Sequence, residues 1–155
     1  MFSIECIDGR FTQLSSKSDM LKNGWMVDIT DSNGQDRSPT RDIFEEKCKT
    51  DTFYGYNGGD EVGRVSATFK GTGKAILSYG NCFSTGYVKV SLNDSEEGRS
   101  SPYQNDLVTI QYRKGDVLKI EEIDTAIIKL YYLVLQDCGK LYFCSTILNH
   151  YLLRV

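Results

Sequence analysis

The chain has little of what most enzymes and metal proteins are built from. Among its 155 residues there is one histidine, His150, one tryptophan, Trp25, and only two prolines. Its five cysteines, Cys6, Cys48, Cys82, Cys138 and Cys144, contain no C-x-x-C pair and have no cluster of histidines beside them. Zinc needs ligands at closer spacing, so no metal site is expected. A Cys–His nucleophile pair would have to recruit His150 from the last few residues, and no serine stands in a G-x-S-x-G elbow. Carboxylate pairs for glycoside hydrolysis could be assembled from many acids, but nothing selects two of them. Gly71-x-Gly73 lacks the lysine and the strand-to-helix setting of a phosphate loop. The expectation is a protein without catalysis and without a cofactor.

Long apolar runs are absent too. No stretch of about twenty apolar residues exists, so insertion into a membrane is not expected. The opening MFSIECIDGRF has neither a basic start nor an apolar run of signal-peptide length. If the domain is secreted, its leader lies outside this sequence. Long runs of one charge are missing, and the net charge of −3 argues against a nucleic-acid partner, which calls for a basic field.

What is present reads as β-structure. A chain of this length fits one domain and can bury about two-thirds of the surface its unfolded form exposes. Ten tyrosines favour strands and serve binding surfaces, and fourteen glycines against two prolines suit tight turns rather than a linker. Trp25, Val27 and Ile29 alternate with polar neighbours, and Asp31-Ser32-Asn33-Gly34 then reads as a turn. Arg64–Phe69, Gly86–Leu92 and Val117–Glu122 alternate in the same way. The hydrophobic pattern places strands at 25–30, 52–56, 63–69, 74–79, 86–92, 107–112, 117–122 and 126–135, with a polar loop over 93–105. The last of these, the longest apolar run, reads as a central strand buried on both faces. One short helix is expected near 38–49, where Ser38 can cap and Pro39 suits the first turn. Strands recurring about every ten residues between glycine turns indicate an all-β, antiparallel two-sheet sandwich. Val65, Phe69, Leu77, Val88, Val90, Leu118, Ile120, Ile128 and Leu130 form its expected core. The apolar stretch 138–155 breaks this grammar and reads as a C-terminal extension, a final strand or a partner-binding tail.

Three pieces carry a resemblance. Val65–Phe69 with Gly73–Leu77 looks like a paired-strand unit, Gly86–Asn93 like a strand running into a polar loop, and Gly115–Ile120 with Ile127–Leu133 like a closing strand pair. From Gly63 to Leu135 the chain thereby resembles a galactose-binding-like jelly roll, the sandwich of many carbohydrate-binding modules. It is similar as well to extracellular modules of uncharacterised invertebrate proteins. The resemblance implies a non-catalytic, lectin-like extracellular module. Many such modules hold calcium through an acid in the last strand. Lys129 stands where that acid would be wanted, so the calcium is not carried over.

The local segment best suited to a ligand is Tyr54-Gly55-Tyr56-Asn57-Gly58-Gly59-Asp60. Tyr54 and Tyr56 share one strand face, while Asn57 and Asp60 offer planar polar groups from a glycine-rich loop. Sugar recognition uses that mix, and a strand end that packs its tyrosines and turns sharply would look the same. Asp28, Asp31, Asn33 and Asp36 are rich in oxygen but miss the glycine and glutamate of an EF-hand loop, so an Asx turn is expected there. The odd cysteine count leaves two readings open, free thiols in a reducing cytoplasm or disulfides in an extracellular protein. In the second case Cys48 and Cys82 are the expected pair. Asn93-Asp94-Ser95 is a glycosylation sequon. The partner is expected to be a glycan or, for a structural sandwich, another protein.

Overall fold

Alternating apolar residues bury one face of each strand, and two such faces closing on one another make the architecture. The computed structural model describes residues 3–14, 17–31, 33, 35–36 and 61–139. These hold strands β1 (Ser3–Ile4), β2 (Phe11–Gln13), β3 (Met26–Asp31), β4 (Glu61–Phe69), β5 (Gly73–Asn81), β6 (Tyr87–Leu92), β7 (Ser95–Ser100), β8 (Gln104–Tyr112), β9 (Val117–Ile123) and β10 (Ile128–Gln136). A six-residue helix, α1 (Lys17–Lys22), precedes β3. One sheet runs β1-β4-β9-β6-β7, with β3 sharing the β1 edge of β4; the other runs β2-β10-β5-β8. Pairing is antiparallel throughout except for the two-residue β1–β4 ladder. The fold is an all-β two-sheet sandwich.

The core lies between the sheets, and all nine residues expected in it are buried. Phe69 of β4 stacks on Tyr112 of β8 at 3.7 Å between ring centroids, joining the two sheets. Trp25, Met20 and Leu14 fill one side, where the Trp25 amide donates to the Met20 carbonyl at 2.9 Å.

Three expectations are corrected. The polar segment 93–105 contains β7, an edge strand whose sequence SEEGRS leaves most of its side chains in water. Such strands carry charge because an apolar edge would recruit other chains, and the same charge hides them from a hydrophobic pattern. Helix α1 falls in the polar stretch after Leu14 and places Met20 in the core. Strand β10 is buried on its inner face only: Ile128, Leu130, Leu133 and Leu135 are in the core, whereas Lys129, Tyr131, Tyr132 and Val134 are partly open. The helix near 38–49, the strand 52–56 and residues 140–155 lie outside the described residues.

Registry sorts the connections between two ends. Turns 70–72, 93–94 and 113–116 and the exit of β10 share one end, called lower here; loops 82–86, 101–103 and 124–127 share the upper end. At the lower end Cys6 and Cys138 form a disulfide. Cys82 is disulfide-bonded as well, and Cys48 lies outside the described residues.

Candidate functional site

The two outer faces of the sandwich differ in chemistry. On the six-stranded sheet many outward positions are charged and paired with one another, beside the exposed Met26 and Val117. Arg64 Nε lies 2.9 Å from Asp28 Oδ2, Lys89 and Lys119 flank Glu121 at 3.7 and 3.8 Å, and Lys119 reaches Asp94 at 2.7 Å. Arg99 pairs with Glu96 at 2.6 Å while its guanidinium lies 4.1 Å from the Tyr87 ring centre. The Lys119 hydrogen bond and charge hold the Asp94 carboxyl below its ordinary range, and Arg99 does the same for Glu96. This is a solvated face, and it places Asp28 in an ion pair. Among the described residues no group of three His, Cys, Asp or Glu could hold a metal.

The four-stranded sheet presents rings, aliphatic groups and amides. Registry lines up Gln13, Tyr132, Ser78 and Leu107 across the four strands, and beside them Phe11, Val134, Ile76 and Thr109. Phe11 is 60% exposed and Leu107 64%. The Phe11 and Tyr132 rings lie 5.1 Å apart, tilted by 32°. A β-bulge between Leu130 and Tyr132 breaks the alternation of β10. Two successive tyrosines therefore face outward, since a bulge inserts one residue without flipping the next. The Tyr131 hydroxyl meets Asn105 Oδ1 at 3.1 Å, and Lys129 Nζ sits 4.7 Å from the ring centre. To reach Asn105 on β8, Tyr131 must pass over β5, where Gly80 stands. A Cβ on Gly80 would collide with Asn105 Oδ1 and the Gln104 carbonyl. The ion pair of Lys74 with Asp137, at 3.7 Å, closes the lower margin. The result is a platform, bordered by Lys129, Lys74 and Asp137, with Gln13, Ser78, Asn105, Thr109 and Gln111 offering donors and acceptors between apolar surfaces.

The upper end is organised by Asn81, which is buried. Its Nδ2 donates to the Thr85 and Gly86 carbonyls, and its Oδ1 accepts from the Phe83 and Ile127 amides. Thr85 Oγ1 donates to the Thr125 carbonyl at 2.7 Å, and Asp124, Thr125 and the 73%-exposed Tyr103 all have left-handed backbones. Tyr54, Tyr56, Asn57 and Asp60 lie outside the described residues. Asn93 occupies the two-residue β6–β7 turn with Asp94, both at positive φ. Its Oδ1 accepts from the Val117 amide and its Nδ2 donates to Asp116 Oδ1, each at 2.9 Å.

Sequence reasoning passed over the platform. Its signal is faint but present: Phe11-x-Gln13, Leu107-x-Thr109-x-Gln111 and Tyr132-x-Val134-x-Gln136 each alternate a surface ring or aliphatic residue with an inward one.

The chain matches no protein-family profile and no curated protein. Among solved structures it is similar to the secreted serine protease VesC from Vibrio cholerae, at 13% identity and a TM-score of 0.43, over 57% of this chain and 20% of that one. The catalytic domain of a GH87 alpha-1,3-glucanase in complex with nigerose is similar at 10% identity and TM-score 0.44, over 90% and 30%. The chain thus spans less than a third of the length of either. A family 35 carbohydrate binding module from Clostridium thermocellum is similar at 11% identity and TM-score 0.36, over 72% of this chain and 99% of the module.

Proposed function

We propose that this chain is a non-catalytic extracellular module that binds carbohydrate on the outer face of its four-stranded sheet. The observation that carries this reading is the contrast between the two outer faces, one a lattice of ion pairs and the other rings and amides. Exposed apolar surface rimmed by polar groups marks interaction sites. Rings stack on the C–H face of a sugar while amides and hydroxyls meet its hydroxyl groups. The bonded Cys6, Cys82 and Cys138 support an oxidising compartment, where such bonds persist. Binding at so open a face is expected to be in the micromolar to millimolar range, because the ligand stays half-solvated and desolvating hydroxyls offsets much of the hydrogen-bond gain.

The test is titration against a panel of neutral polysaccharides, with Phe11→Ala and Tyr132→Ala as variants. Each ring should contribute roughly 0.5–1.5 kcal/mol beyond its buried area, so affinity should fall about three- to tenfold or more in each variant. Tyr56→Ala with Asp60→Ala measures whether the 54–60 segment contributes. A panel silent for the wild type would refute the carbohydrate reading. The exposure of Phe11 and Leu107 would then favour a protein partner, read out by self-association.

A further inference from the structure

Five of the described cations, Arg64, Lys74, Lys89, Arg99 and Lys119, have acidic partners within the protein, and Lys129 lies over a ring. Lys22, Lys70 and Lys114 take part in none of the ion pairs. All three line the same place. Two adjoining clefts at the lower end, of about 420 and 280 Å³, share Glu5 and Lys70 as their common wall. Lys114 and the Cys6–Cys138 disulfide border the first, Lys22 and Arg10 the second. Among the described lining residues, four cations thus stand beside one acid, Glu5, in a chain whose net charge is −3. Asp8 lies nearby, but its carboxylate accepts the Cys138 amide at 2.7 Å. Arg10 is held by Asn23 Oδ1 at 3.1 Å.

We infer that these joined clefts form a second site, which binds a sulfate ester carried by the glycan on the adjacent sheet face. The inference rests on the carbohydrate reading for its ligand's backbone and on the lysines for its charge. Like-charged ammonium groups repel one another, and an anion bound among them relieves that repulsion. Ammonium groups are compact point charges with freely rotating donors, which suits the tetrahedral oxygens of a sulfate ester. A planar carboxylate is instead matched by the fork of a guanidinium, and Arg10 is held by Asn23. Position links the two sites. In the larger cleft Thr72 immediately precedes β5 and Cys138 lies two residues beyond the end of β10, the strands that carry Ile76 and Val134 on the platform. The disulfide fixes one wall to the other, so little ordering is needed when the anion arrives.

The experiment is calorimetric titration of the whole chain with a sulfated oligosaccharide, the same oligosaccharide desulfated, a uronate oligosaccharide and sodium sulfate alone. The sulfated form is expected to bind at least tenfold tighter than the desulfated one, with the advantage shrinking at high salt. Lys70→Ala with Lys114→Ala should abolish that advantage while leaving binding of the desulfated form unchanged. Both side chains are exposed, and a melting curve equal to the wild type's verifies folding. Phe11→Ala should weaken both forms. Equal binding of sulfated and desulfated forms, or no effect of the lysine substitutions, would overturn the site. Sodium sulfate binding as tightly as the ester would overturn the glycan-borne source, and uronate binding as tightly would overturn the choice of sulfate. Lysine-dependent binding of the sulfated form with none of the desulfated form, unaffected by Phe11→Ala, would uphold the cleft and refute the platform.

Discussion

Gly73 opens β5 where three segments of the chain converge on it. A Cβ there would stand 2.8 Å from Tyr112 Oη, 2.9 Å from the Gln136 carbonyl and 3.0 Å from Cys6 Sγ. Two of these neighbours are anchored, one in backbone and one in a disulfide, so the site has little room to relax. Gly73→Ala is expected to cost about 1–3 kcal/mol in urea denaturation, the usual range for overpacking. Tyr112 and Tyr79 are buried, and burial pushes each phenol from 10.0 up to about 12. An unfolded chain ionises these groups near 10, so between 10 and 12 it binds fewer protons than the folded chain. Stability is therefore full below pH 10 and falls as pH climbs toward 12. Thermal melts over that range, followed by tyrosinate absorbance, should show the loss, and Tyr112→Phe should remove part of it.

Between elements, burial was easier to read than exposure. Val90 and Ile120 pair across β6 and β9 and are fully buried, as their alternation predicts. Ile120→Ala should lower stability by roughly 2–4 kcal/mol through lost burial and the cavity left behind. A loss below about 0.5 kcal/mol would contradict this inward assignment. Edges obey other rules. β7 shows five of its six residues largely or partly to water, so no apolar period announces it, although the flanking Asn93-Asp94 turn is a hairpin signal. β10 hid the platform for the opposite reason. Its run IKLYYLVLQ is apolar on both faces, and hydropathy cannot separate a face covered by the core from one offered to a ligand. Only the bulge at Tyr131 and the pairing with β2 decide which side is open. Pairing of Cys6 with Cys138 was equally illegible, because 132 residues separate them and proximity arises only when β10 returns to the lower end.

For the whole molecule, that disulfide closes nearly the entire described chain into one loop. Constraining so long a loop stabilises chiefly by limiting the unfolded state, and Cys6→Ser with Cys138→Ser should lower stability by about 2–4 kcal/mol in equilibrium denaturation. There is also a mechanical side. Cys6 and Cys138 stand 5.6 Å apart between Cα atoms. Tension entering before Cys6 and leaving after Cys138 would pass through the sulfur bridge and bypass the strands enclosed by it. The sandwich would hang beside the line of force, like a pendant on a taut thread. Among the described strands only β1, whose two residues pair with Thr68 and Phe69, lies outside the bridge and would peel away. A pulling experiment should show no further extension from β2 to β10 until the bond is reduced, and then a long release of chain.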